Sequence, residues 1–158
     1  MPAMPSSNPH LSSLVTILLA VAVGIATSYQ SGINAKVAQF TPTRLHGGLI
    51  NFLGGFVVML VVVSLSRSEL PNHAKLAQAP WWAWTGGLLG AFFVTMALIL
   101  VPKIGAANLA AGIIAGQLVG SLIIDHFGHM GLPQQPITTG RVAGIVLIAA
   151  GVACVRWL

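Results

Sequence analysis

Five stretches of this chain, each about twenty residues long, carry almost no charge, and that pattern limits what it can fold into. They cover about 13–39, 45–66, 81–101, 106–127 and 139–157. Breaks separate them at Thr41-Pro42-Thr43, at the polar run from Arg67 to Pro80, at Pro102-Lys103-Ile104-Gly105, and at the glycine- and proline-containing segment 126–139. A helix crosses the hydrocarbon core of a bilayer in about 20 residues. Charged residues make up 6% of the chain, against roughly 25% in an average soluble domain, which is too few to coat a water-soluble globule. Disorder is excluded too, because 56% of the residues are hydrophobic. The expected fold is an all-α integral membrane protein. It has a single five-span domain over 13–158, behind a flexible tail at 1–12, with the lipid bilayer as its first partner.

The net charge of +5 comes from bases scattered one or two per loop, with no clustered patch. A nucleic-acid partner is therefore not expected. The N-terminal MPAMPSSNPHLSS has no Lys or Arg before the first apolar run, which argues against a secretory signal. Cys154, the single cysteine, can form no disulfide within the chain. Trp81, Trp82 and Trp84 at one end of span three, and Trp157 at the end of span five, fit an interfacial aromatic belt.

Lipid supplies no hydrophobic drive for helix association, so membrane helices pack through small residues. Span one carries Ala20, Gly24, Ser28 and Gly32 at four-residue intervals. Span two has Gly47, Asn51 and Gly55, and span three has Gly86 and Gly90. Span four has Gly112, Gly116 and Gly120, and span five has Gly140, Gly144 and Gly151. A bundle with close contacts on several sides is expected, with Gly24, Gly32, Gly112, Gly116 and Gly120 as its packing positions.

Polar residues in hydrocarbon face a bundle interior or a water-filled cavity. Thr27, Gln30, Ser31 and Asn34 fall on one stripe of span one, and Gln117, Ser121 and Asp125 on one stripe of span four. The second stripe lies about 100° around the helix from the glycine seam. One side of span four can thus hug a neighbour while the next faces a cavity. Gln30, Asn34 and Gln117 are the expected substrate contacts. Asn51 and Asn108, single amides within their glycine seams, read as interhelical hydrogen-bonding groups.

Asp125 is the one acid in or near a span. It reads either as a coupling or gating group, alone or as a proton relay with His126, or as an interfacial carboxylate paired with a base such as Arg141. Asp125, His126 and His129 together resemble a metal cluster, but they lack a further Cys or Glu nearby. No metal and no cofactor are expected. Motifs for acyl transfer, nucleotide binding and zinc proteolysis do not occur, so the chain is not expected to be an enzyme.

Loops alternate sides. One side receives Arg67, Lys75 and Arg141, the other Lys36, Arg44, Lys103 and Arg156. Orientation follows the Lys/Arg bias, and a difference of one sets almost none. Dual topology and an antiparallel homodimer are expected, giving an inverted-topology pair as in many transporters.

The chain resembles the short, five-helix branch of the drug/metabolite transporter superfamily, the YdcZ-like bacterial inner-membrane proteins. The resemblance rests on Gln30-x-x-x-Asn34, Asn51-Phe52-x-Gly54-Gly55, Pro80-Trp81-Trp82 and Gly86-Gly87-x-x-Gly90. It continues through Pro102-x-x-Gly105-Ala106, Gly116-Gln117, Asp125-x-Phe127-Gly128 and Arg141-x-x-Gly144. It implies half of a ten-helix architecture completed by dimerisation, a place in the bacterial inner membrane, and transport of a small molecule by alternating access. The related four-helix multidrug exporters use a membrane-embedded Glu in their first helix. Span one here contains no acid, which argues against the same cation-trapping chemistry. The competing function is a non-transporting scaffold or accessory subunit whose glycine seams serve assembly alone.

Overall fold

The computed structural model describes residues 9–67 and 69–157, with side chains from 13 to 155 apart from residue 68. Five long helices account for most of it. They are α1 (Pro9–Ala38), α2 (Arg44–Ser66), α4 (Gly86–Ile104), α5 (Ala106–Phe127) and α6 (Thr139–Trp157); α3 (His73–Leu76) is a single turn. Among the described residues there is no strand. The chain is an all-α membrane protein. Helices α1, α2, α5 and the Trp81–Ile104 segment are each long and apolar enough to cross a membrane, and Thr139–Val155 is a shorter apolar helix. Of the tail expected at 1–12, residues 1–8 lie outside the described residues, whereas 9–12 already belong to α1.

The chain divides into two compact units, Met1–Asn72 and His73–Leu158. In the first, α1 packs against α2. Gly47 makes that contact possible: a Cβ there would lie 2.9 Å from the Cβ of Ala38 and 3.2 Å from its Cα. Gly47 and Gly48 are the buried residues of α2. The turn between the helices is closed by the Thr41 hydroxyl, within hydrogen-bond reach of the Ala38 and Thr43 carbonyls.

In the second unit α4 packs on α5 and α5 on α6. Val94, Ala97 and Leu98, spaced by about one turn, form the buried face of α4, and Leu109 of α5 meets the same core. Pro102 cannot donate to the Leu98 carbonyl, yet α4 continues past it to Ile104, beyond the break expected at Val101. Gly105, with φ +80° and ψ 161°, then reverses the chain in one residue, a conformation open essentially to glycine. Helix α5 ends on Gly128 in the left-handed region (φ +60°), where a Cβ would also meet the Leu132 carbonyl oxygen at 3.2 Å.

Most large apolar side chains point outward. Along α2, Phe56, Val58, Leu60 and Leu65 are all exposed, Leu65 to 76%. In water such a surface would drive aggregation; against lipid tails it is the favourable side. Trp81 and Trp84 are exposed on the 3-10 turn that leads into α4, where an interfacial belt belongs.

Candidate functional site

The amide stripe of α1 lies in the first unit. Asn34 and Ser31 are buried, each 8% exposed. The Ser31 hydroxyl donates to the Thr27 carbonyl at 3.1 Å, and Thr27 donates to Val23 at 2.8 Å. Gln30 reaches across to α2, where its Nε2 donates to Asn51 Oδ1 at 3.3 Å. Asn51 thus makes the interhelical hydrogen bond expected of it, with Gln30 as its partner. The two lie in adjacent helices and are the right types to pair. What the sequence does not fix is how α1 and α2 are rotated about their axes.

The α5 stripe lies in the second unit. Gln117 and Ser121 are exposed and Asp125 is half-buried. Asp125 and Arg141 form an ion pair, Nη1 to Oδ2 at 3.2 Å, with each side chain 34% exposed. Of the two readings of Asp125, the structure places the carboxylate on Arg141 without removing it from the groove described next. Neither charge suits its helix end. An anion in the last turn of α5 and a cation in the first turn of α6 both oppose the helix dipole, and each offsets the other.

Arg141 also donates from Nη2 to Gln135 Oε1, a partner that loop residue 135 gave no sequence signal for. The Gln135 backbone N–H returns to the Asp125 carbonyl at 2.7 Å, and Gln134 Nε2 donates to the His126 carbonyl at 2.8 Å. These bonds tie the root of the 128–138 loop to the end of α5. The His126 ring packs edge-on against Phe127, and His129 stacks on the other ring of that pair. Among the described residues no group of three or more His, Cys, Asp or Glu side chains comes together.

Beside the ion pair, α5 and α6 line an open groove of about 280 Å³. Leu118, Leu122, Ile145 and Ile148 give it aliphatic walls. Ser121, Asp125 and Arg141 supply its polar groups, and Gly144 opens one side. Gln117 is not among the lining residues. The Ser121 hydroxyl donates to the Leu118 carbonyl at 3.0 Å, so its oxygen is left as an acceptor. In the other direction along α5, Asn108 Nδ2 donates to the Ile104 carbonyl at 2.8 Å, while its Oδ1 and His126 Nδ1 are buried without a partner.

The glycines expected to pack helices do not do so within their own units. A Cβ at Gly24, Gly32, Gly112, Gly116 or Gly120 would meet no atom of its unit within 4 Å. Close contact falls instead at Gly47, against Ala38 of the neighbouring helix, and at Gly128, against its own loop.

The family described as "Putative inner membrane exporter, YdcZ" matches residues 15–154. The chain is also 28% identical over 141 residues to "Inner membrane protein YdcZ" of Escherichia coli (strain K12), covering 89% of this chain and 94% of that protein. No solved structure matches significantly. The family match runs through all five long helices, with the amide stripe of α1 and the ion pair of α5 and α6 inside the matched range. The chain belongs to the YdcZ family of inner-membrane transport proteins, and is a multi-pass protein of the inner membrane.

Proposed function

We propose that this protein moves a small molecule across the inner membrane by alternating access, as an antiparallel homodimer. Gln30, Asn34 and Gln117 contact the substrate through their amides, and Asp125 acts in coupling or gating. The observation that carries this reading is the polar stripe of α5, which runs down one helix face into an open groove and ends on a charged pair. A protein serving assembly alone gains nothing from placing an acid and a base along such a groove, since a polar group in a membrane segment carries a desolvation cost. The family's description as an inner-membrane exporter supports the same reading. The open faces at Gly112, Gly116 and Gly120, and at Gly24 and Gly32, are the surfaces through which helices of two copies approach, so that ten helices form around the transport path.

The test is solute flux in proteoliposomes, screened over metabolite classes, with Gln30→Leu and Gln117→Leu measured beside the unmodified protein. Loss of flux in either variant, at unchanged insertion and unchanged dimer fraction, is the expected result. Flux that survives both substitutions removes the amides from the path. The absence of any protein-dependent flux favours a scaffold.

A further inference from the structure

We infer that the groove between α5 and α6 binds a small amphipathic zwitterion, a molecule with one ammonium, one carboxylate and an aliphatic body. This names a substrate class for the transport reading, at a further seat lined by none of Gln30, Asn34 and Gln117 and at which Asp125 meets the ligand directly; it rests on that reading for its meaning in the cell, and the binding itself does not.

Size, charge and wall chemistry converge on this class. At about 280 Å³, the groove falls just below the roughly 300–1,000 Å³ range of sites for drug-sized ligands. A ligand of amino-acid size fits it; a whole phospholipid does not. Four aliphatic side chains, Leu118, Leu122, Ile145 and Ile148, face the space and accept a hydrocarbon body.

The charges at the end of the groove select the rest. Asp125 and Arg141 sum to zero, and a ligand of net charge would leave the half-buried site with an uncompensated charge beside the hydrocarbon. A zwitterion adds none. Its ammonium faces Asp125 and the acceptor oxygen of Ser121, while its carboxylate faces the guanidinium. In an α-amino acid, bonds of about 1.46 and 1.52 Å at an angle of about 111° hold the nitrogen and carboxyl carbon about 2.5 Å apart. The carboxylate oxygens reach somewhat beyond that carbon, which brings the ligand's two charges to a spacing comparable to the 3.2 Å of the protein pair, so both can engage while that pair stays formed. Each side chain is 34% exposed, which leaves room for a second partner. Arg141 is held for this by Gln135 through its other terminal nitrogen.

Gly144 supplies the means of testing it. It lines the groove, and a Cβ there would meet nothing within 4 Å, so a side chain at 144 starts in open space and Gly144→Leu occupies the groove. Binding is measured by isothermal calorimetry on the full chain, purified in a non-ionic detergent. The probes are leucine, 3-methylbutylamine, 4-methylpentanoate and glycine. Leucine is expected to bind. The amine and the acid each lack one charge, and glycine lacks the aliphatic body, so each should bind at least roughly tenfold more weakly. Gly144→Leu should abolish leucine binding at an unchanged melting temperature, and Asp125→Asn and Arg141→Gln should each weaken it. Comparable binding of the amine and leucine would overturn the inference in favour of a cation site. So would leucine binding that survives Gly144→Leu, or no leucine binding at all. Binding of phosphatidylethanolamine in nanodiscs, with leucine inert, would make the groove a lipid seat and overturn it equally. Flux of another solute without leucine binding would defeat this inference and leave the transport reading standing; leucine binding in the groove without any flux would do the reverse.

Discussion

Gln30 and Asn51 stand 21 positions apart and meet through a single hydrogen bond of 3.3 Å. Interhelical bonds of this kind contribute about 0.6 kcal/mol on average and at most about 1.7. A double-mutant cycle with Gln30→Leu and Asn51→Leu should therefore return a coupling energy of about that size, read from unfolding in detergent. Additive effects would separate the two amides. That Gln30, Ser31 and Asn34 share a stripe was legible from the helical period alone. Their partners were not, because periodicity says which residues share a face and nothing about what that face meets. Asp125 illustrates the same limit: its chemical type announced a site, and Arg141 was among its possible bases, yet Gln135 emerged only with the path of the loop. At Gly128 the backbone decides. The φ of +60° and the Leu132 carbonyl at 3.2 Å from any Cβ make Gly128→Ala a strained replacement, costing about 1–2 kcal/mol. A melting temperature unchanged by that substitution would show that the loop can be rebuilt without its left-handed turn.

Helices α5 and α6 occupy the ranges 106–127 and 139–157 that apolar length and punctuation mark out, and α2 differs by one residue at its start. Length, glycine and proline were enough to mark those elements. They failed at Pro102, where a missing N–H near the end of a helix costs one bond but leaves φ suited to helix, so α4 runs on to Ile104. The glycine seams were legible as patterns, and their occupants were not. Inside each unit a Cβ at Gly112, Gly116 or Gly120 meets open space, whereas one at Gly47 collides with Ala38. Two opposite outcomes follow from the same residue type. Gly47→Val should lower stability by about 1–3 kcal/mol through overpacking, seen as a fall in melting temperature of the solubilised protein. Gly116→Leu should leave each unit folded but lower the dimer fraction in cross-linking, more than Leu118→Ala does. Equal and small effects at 116 and 118 would turn the glycine face of α5 toward lipid.

For the whole molecule, the balance of Arg67, Lys75 and Arg141 against Lys36, Arg44, Lys103 and Arg156 predicts insertion in both orientations. Single cysteines introduced in the loop 71–80, with Cys154 replaced, should be labelled from both faces of the membrane. Two added arginines near Thr43 should bias insertion one way, and two near Pro71 the other. Each biased variant alone should lose function and the pair together should regain it; labelling of the unmodified chain from one face only would point to a parallel dimer or a monomer. The helices also differ in reach. At 1.5 Å per residue the apolar stretch Ser13–Ala38 of α1 extends about 39 Å, and Thr139–Val155 of α6 only about 26 Å. One bilayer cannot match both, since mismatch is relieved by tilt on one side and by thinning on the other, at a fraction of a kcal/mol per Å. Acyl-chain length is thus a control on this protein: lengthening the lipids should strain α6 first and shortening them should tilt α1 further, so that activity across a series of chain lengths rises to an optimum and falls on both sides.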